Sequence, residues 1–310
     1  MLHDLIIIGG GPAGVSAGIY AARKKIDALL ITKDFMGQMS GTGEIDNYAG
    51  FPEISGMELS RRMEKHLKKF NIKIKEGEKV VKICRKKEKG KDIFILETDK
   101  KNEYSAKAVI VATGADPRPL EAEGEKDFIG RGVSYCSICD APLFQGKTVV
   151  VAGGGNSGFE AALDLAKYAE KIFIFEKSNE IKADEFLQKK AEKCSKIKVF
   201  LNREIKKIEG KQMVQAIVYR DIKTGKESCL AVDGVFVQVG TVPSTGFLKG
   251  LVKFNERDEI EVDPETCQSS VPGIFAAGDV NNTRWKQVII AAGEGAKAAL
   301  SAYSWLQKQK

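Results

Sequence analysis

An α/β fold is what the sequence predicts, built as two similar units of which the second interrupts the first. Three observations carry that prediction. The spacing Gly9-x-Gly11-x-x-Gly14 recurs as Gly153-x-Gly155-x-x-Gly158; each copy lies between a short β-rich run and a small-residue helix; and two Gly/Pro segments, 113–119 and 240–246, bracket the second copy. Strand, glycine turn, helix and second strand form the setting in which this spacing receives a dinucleotide. The fold class is therefore α/β: two Rossmann-like nucleotide-binding domains, the second inserted into the first, with residues 1–114 and 246–310 as one domain and 115–245 as the other.

The elements follow in order. An apolar β-rich run predicts a strand over 5–8, small residues a helix over 13–22, and Val/Ile/Leu enrichment a second strand over 27–31. An amphipathic helix is expected over 56–70, then strands over 79–84, 93–97 and 108–112. The second unit repeats the plan: strand 148–152, helix 157–168, strand 171–175, helix 184–194, then strands 198–201, 213–220 and 234–239, with Lys223-Thr224-Gly225 as a hairpin turn. The tail offers a strand over 274–277 and a long helix from about 287 to 307, too little for a domain of its own, so it completes the first unit.

Composition narrows the class further. The 310 residues are 43% hydrophobic and 29% charged, and no stretch reaches the roughly 20 apolar residues of a membrane-spanning helix, so disorder and a membrane span are excluded. Six irregularly spaced cysteines and the lack of a signal peptide point to a reducing, cytoplasmic compartment. The net charge of +7 comes from lysines scattered among glutamates, as in 65–69, 85–91 and 189–198, which reads as solvated faces and not as a nucleic-acid footprint.

Two glycine fingerprints imply two dinucleotides, and a flavin with a nicotinamide is the chemically useful pair. In each, the first glycine makes the turn, the second lets the backbone approach the diphosphate, and the third lets helix and strand pack closely. A carboxylate about 20 residues on accepts from a ribose hydroxyl. In the second unit that residue is Glu176, which favours NADH over NADPH because it repels a 2′-phosphate; Lys177 and Lys182 nearby are either phosphate ligands or surface lysines. In the first unit Asp34 is the usable carboxylate, one residue late. Between the fingerprints lies Cys136-Ser137-Ile138-Cys139-Asp140. The spacing allows a small disulfide ring suited to thiol–disulfide exchange, with a structural role as the alternative. Asp140 is a candidate acid for a leaving thiolate, or a helix N-cap. A metal is not expected: the other cysteines, Cys84, Cys194, Cys229 and Cys267, are isolated and read as small buried hydrophobes, and the histidines are His3 and His66.

These residues resemble the low-molecular-weight thioredoxin reductases over essentially the whole chain. The resemblance is carried by Gly9-Gly10-Gly11-Pro12-Ala13-Gly14, Gly37-Gln38, Asn47-Tyr48, Ala112-Thr113-Gly114, Cys136 to Asp140, the second glycine motif and Gly273-Ile274-Phe275-Ala276-Ala277-Gly278-Asp279. It implies that Asp279 holds the FAD side chain, that Gln38 and Asn47 contact the flavin, and that the helix beginning at Lys286-Gln287-Val288 aims its N-terminus at the flavin ring. The stretch Gly153-Gly154-Gly155-Asn156-Ser157-Gly158-Phe159-Glu160 with Phe175-Glu176-Lys177 is most similar to the flavoprotein component of alkyl hydroperoxide reductase systems, which uses NADH. That component carries an N-terminal thioredoxin-like segment, whereas here the flavin motif starts at residue 9, so the carrier is expected to be a separate protein.

The resemblance implies electron flow from NADH through FAD and the Cys136/Cys139 disulfide to a thioredoxin- or glutaredoxin-like carrier that can feed a peroxiredoxin. It also implies a homodimer, and an inserted domain that rotates between turns of the cycle on the 113–119 and 240–246 hinges. The other readings are an NADH oxidase, which would not need the two cysteines, a ferredoxin-driven reductase, which the intact second fingerprint disfavours, and a non-catalytic redox-sensing flavoprotein. Which cysteine faces the flavin stays open.

Overall fold

The computed structural model describes residues 1–35, 37–41, 45, 47–88 and 90–309. Lys89, in the charged 85–91 run, lies outside them. The chain divides into two compact units, Met1–Asp116 with Val242–Lys310, and Pro117–Thr241.

Unit 1 opens with β1 (Leu2–Ile8), α1 (Pro12–Arg23) and β2 (Ala28–Thr32). Then come α2 (Gly56–Leu67), β3 (Lys73–Glu76), β4 (Val80–Glu88), β5 (Lys91–Thr98), β6 (Glu103–Val111) and β7 (Ala115–Pro117). Strands β3, β2, β1 and β6 are parallel neighbours, and β5 and β4 extend the sheet antiparallel from the first half of β6. Leu5, Ile6, Ile7 and Ile110 are fully buried, as a strand covered on both faces requires. Ser55 caps α2 by accepting from the Glu58 N–H.

Unit 2 contains β8 (Val133–Ser134), the helical turn α3 (Ser137–Asp140), β9 (Thr148–Ala152), α4 (Asn156–Leu165) and β10 (Lys171–Glu176). It continues with α5 (Glu185–Glu192), β11 (Ile197–Leu201), β12 (Arg203–Gly210), β13 (Val214–Asp221), β14 (Glu227–Ala231), β15 (Gly234–Val237) and β16 (Thr241–Pro243). Its parallel sheet runs β11-β10-β9-β15-β8, beside an antiparallel meander β12-β13-β14. The chain then returns to unit 1 with β17 (Ile274–Ala276), parallel to the second half of β6, and α6 (Val288–Lys308). The two crossing segments, β7 and β16, pair as a short ribbon.

The sequence missed β12 because its charges hide the strand pattern. Ile205 and Ile208 are both buried although three residues apart, because a register shift between Ile205 and Lys207 resets the alternation. The expectation that the isolated cysteines are buried holds only for Cys267; Cys84 and Cys229 are exposed and Cys194 is partly so. Cys84 and Cys229 stand on β4 and β14, which each lie at the edge of their sheet; β4 is exposed from Cys84 to its end, and β14 turns alternate residues, Cys229 among them, to solvent. No helix among the described residues is long and apolar enough to cross a membrane.

Candidate functional site

In unit 1 the glycine loop lies between the end of β1 and α1. Gly9 has φ +112°, and a Cβ there would sit 2.2 Å from the Ala112 carbonyl oxygen, while a Cβ on Gly14 would meet the Gly9 carbonyl oxygen at 1.9 Å. The first and third glycines are thus required by the fold. Gly11, the N-cap of α1, meets nothing within 4 Å, so its backbone is open to an approaching group, and Pro12 follows at a position where no helical N–H is lost. The free N–H groups at this end and the open backbone fit a diphosphate.

The rest of that end of the sheet converges on the loop. A Cβ on Gly278 would meet the Ala13 Cβ at 3.1 Å, so the loop after β17, which carries Asp279, packs against the start of α1. Asp279 is half-buried, and no described residue hydrogen-bonds to its carboxylate. Burial pushes its pKa up from 3.8; Lys286 opposes the rise, and Glu294 and Glu259 add to it. A half-buried carboxylate with no such partner among the described residues fits an acceptor for ligand hydroxyls. The Asn47 amide donates to Gln287 Oε1 at 3.2 Å, joining two positions 240 residues apart, and Gln287 is the N-cap of α6, with Val288 its first residue. Gln38 Nε2 donates to the Ala115 carbonyl, and Thr113 Oγ1 to the Ser244 carbonyl at 3.0 Å, which ties down the Ala112-Thr113-Gly114 segment.

Two further candidates have partners within the protein. Asp34 lies two residues past the end of β2, where its Oδ1 accepts from the Gly37 N–H at 3.1 Å and closes a turn. Lys286 Nζ is 2.9 Å from Glu259 Oε1 and also donates to the carbonyls of Asp279 and Asn281, so it braces the 279–281 loop.

A residue that the motifs did not flag holds the same loop from the other side. Glu294 of α6, 8% exposed, accepts from the Gly278 N–H at 2.8 Å, from Asn281 Nδ2 at 2.9 Å and from the Thr283 hydroxyl. Its signal in the sequence was a single acid inside the small-residue run Ala291-Ala292-Gly293-Glu294-Gly295-Ala296, where a charge survives only if hydrogen-bonded.

Unit 2 repeats the loop geometry. Gly153 has φ +120°, and a Cβ there would lie 2.1 Å from the Gln238 carbonyl oxygen; a Cβ on Gly158 would lie 2.0 Å from that of Gly153; and Gly155, the N-cap of α4, again meets nothing within 4 Å. Asn156 and Asp184 exchange two hydrogen bonds, side chain to side chain at 2.9 Å and the Asp184 N–H to Asn156 Oδ1 at 2.8 Å, and Ser157 is exposed in the first turn. Glu176 ends β10, with Oε2 accepting from the Gly154 N–H at 2.6 Å and Oε1 from the Ser178 N–H at 2.7 Å. Burial disfavours its charge, but those N–H groups and Lys182 outweigh it and hold the pKa below 4.5. Each oxygen keeps a lone pair for a ribose hydroxyl.

The Cys136-x-x-Cys139 turn lies in the same unit and is closed by a disulfide, with Cα atoms 5.4 Å apart. Cys139 is exposed and Cys136 partly so, with Asp140 ending the α3 turn. The Ser134 hydroxyl accepts from the Cys136 N–H at 3.0 Å and donates to its carbonyl at 3.1 Å. Beside it, Tyr135 donates to Glu125 Oε1 at 2.6 Å. Glu125 is 2% exposed and also accepts from the N–H groups of Leu120 and Glu121. Burial and Glu125 keep the phenol protonated well above its ordinary range.

Comparison with known proteins shows the family. The family model described as "Pyridine nucleotide-disulphide oxidoreductase" matches residues 3–295. The chain is 42% identical over 303 residues to an "NADH dehydrogenase" of Bacillus subtilis (strain 168), covering 98% of this chain and 58% of that protein. It is 40% identical over 304 residues to the F component of the alkyl hydroperoxide reductase of Staphylococcus aureus (strain Mu50 / ATCC 700699), covering 98% and 59%. It thus spans a little under three-fifths of these curated relatives. The thioredoxin reductase of Lactococcus lactis superposes with a TM-score of 0.92 at 35% identity over 99% of both chains. Two glycine loops, a partly exposed disulfide turn and similarity over nearly all of this chain together place it in the pyridine nucleotide-disulphide oxidoreductase family, among its thioredoxin reductase-like members.

Proposed function

We propose that this enzyme is an NADH-preferring, FAD-dependent disulfide reductase that delivers electrons to a thioredoxin- or glutaredoxin-like carrier. The observation that carries the reading is the Cys136–Cys139 disulfide, partly exposed and in the unit that also holds the second glycine loop and Glu176. FAD supplies the two-electron relay between a hydride donor and a disulfide. For that group, Gly9, Gly11 and Gly14 offer the diphosphate cradle, Asp279 and Asp34 the hydroxyl acceptors, and Asn47, Gln38 and Gln287 amides at the same end of the sheet. Gly153, Gly155 and Gly158 cradle the nicotinamide dinucleotide, and Glu176 reads its ribose.

The chain's own chemistry is thiol–disulfide exchange. Two electrons and two protons convert the Cys136–Cys139 disulfide to a dithiol. One thiolate then attacks the carrier disulfide, releasing a carrier thiolate that Asp140 is positioned in sequence to protonate, and the second thiolate resolves the mixed disulfide, leaving the carrier reduced and Cys136–Cys139 oxidised. A specific observation favours a second reading, NADH-dependent supply of a peroxiredoxin system: the similarity to the alkyl hydroperoxide reductase component. Both readings share the first half-reaction. Anaerobic titration of the flavoprotein with NADH and with NADPH tests it: NADH should bleach the flavin at lower concentration, and no bleaching by either would remove the reductase reading. Turnover of a purified thioredoxin, against a peroxiredoxin with peroxide, separates the two carriers.

A further inference from the structure

Lys177 follows Glu176 directly at the end of β10, where a cation would serve a 2′-phosphate in the way the carboxylate serves a 2′-hydroxyl. The structure commits that cation elsewhere. Lys177 Nζ lies 2.8 Å from Glu204 Oε1, while Glu204 Oε2 takes Arg220 Nη2 at 2.6 Å and stands 3.7 Å from Lys206 Nζ. Glu204 comes from β12, and its side chain is only 15% exposed, so one partly buried carboxylate gathers three cations. Arg203, its neighbour, is matched separately by Asp221 at 2.6 Å. The ammonium of Lys177 and the guanidinium of Arg220 draw the Glu204 pKa down to about 2 against the opposing effect of burial, so the carboxylate stays charged at any working pH.

We propose that Glu204 is a specificity-determining residue for NADH over NADPH, acting through Lys177: by neutralising and tethering the ammonium next to Glu176, it withholds one of the two cations, Lys177 and Lys182, that could pair with a 2′-phosphate. This rests on the reading that the second glycine loop and Glu176 hold the nicotinamide dinucleotide. Glu176 repels the phosphate directly; Glu204 removes the share of the compensation that Lys177 would supply. The discrimination therefore has two parts, one on β10 and one on β12, and the second cannot be found from the fingerprint.

The test is a double-mutant cycle on the FAD-loaded full chain, reading the ratio of kcat/KM for flavin reduction by NADH and NADPH. Binding of ADP and of 2′,5′-ADP is measured alongside by calorimetry. Glu204→Gln should lower the NADH-to-NADPH ratio about fivefold, the scale of one partly exposed ion pair, and should tighten 2′,5′-ADP relative to ADP to the same extent. Lys177→Ala alone should leave the ratio within about twofold, because its charge is already committed, and in the double variant the gain of NADPH use should vanish. Glu204→Ser carries the same expectation where the Gln variant does not fold. A ratio unmoved in a folded Glu204 variant, or a gain that persists without Lys177, overturns the role of Glu204. Failure of the unmodified protein to bind either adenosine nucleotide overturns the nucleotide-site reading beneath it.

Discussion

Glu176 Oε2 accepts a 2.6 Å hydrogen bond from the backbone N–H of Gly154, so the strand end that would read the ribose and the loop that would receive the diphosphate are bonded to one another. A Cβ on Gly154 would come within 2.9 Å of the Glu176 side chain, which leaves no room for any other residue in the loop at that point. The carboxylate is thereby fixed before a nucleotide arrives, and fixed groups lose less freedom on binding.

Glu176→Arg should narrow or invert the proposed preference for NADH, because an arginine pairs with the 2′-phosphate that a carboxylate repels. Flavin reduction rates with the two nucleotides measure it. Equal use of both by the unmodified protein would count against the role assigned to Glu176.

The glycine loops should separate folding from binding. Gly14→Ala and Gly158→Ala force a Cβ to 1.9 Å and 2.0 Å from a carbonyl oxygen, so each should cost about 1–3 kcal/mol or more of stability. Gly11→Ala and Gly155→Ala meet no atom within 4 Å and should melt within a few degrees of the unmodified apoprotein while losing FAD and NADH respectively. Thermal melts paired with bound-flavin and nucleotide-binding assays check both halves; retention of cofactor by the latter pair would remove those glycines from the diphosphate sites.

Asp279→Ala should weaken FAD retention by about 1.5–3 kcal/mol, the value of a hydrogen bond to a charged acceptor. Absorbance of the purified variant gives the FAD content. Stoichiometric FAD at dilutions where the unmodified protein begins to lose it would place the hydroxyl acceptor elsewhere.

Cys136→Ser and Cys139→Ser should each abolish carrier reduction and leave reduction of the flavin by NADH largely intact, because the dithiol acts downstream. In one of the two, the remaining thiolate should give a long-wavelength charge-transfer band with the flavin. If both variants still reduced the carrier, NADH oxidation by oxygen would become the better account.

Acid should expose the Glu204 cluster. Its folded-state pKa, about 2, lies below the ordinary 4.5, so its stabilisation is complete above pH 4.5 and is lost as pH falls from there toward 2. The difference in melting temperature between the unmodified protein and Glu204→Gln should therefore shrink as the pH is lowered through that window. A difference independent of pH would mean that the carboxylate's charge contributes nothing to the fold.

Sequence by itself determined the α/β class, both glycine loops, the disulfide turn and the acid at the end of β10. Each is a local pattern, written in neighbouring residues by strand alternation, helix periodicity or the steric demands of a turn. The helix expected over 287–307 runs from Val288 to Lys308 for that reason, and the strand expected over 148–152 is Thr148–Ala152. What only the tertiary structure decided is the partner of each polar side chain. Glu294 under the Asp279 loop, Asn47 against Gln287, Glu125 beneath Tyr135 and Lys177 drawn to Glu204 join residues from different elements. Which elements become neighbours follows from sheet order and packing, and a buried or half-buried charge then takes the hydrogen-bonding group that packing puts within reach. No spacing along the chain encodes that choice, so the bracing of the Asp279 loop and the neutralisation of Lys177 emerge only once β12 lies beside β10 and α6 lies against the loop after β17.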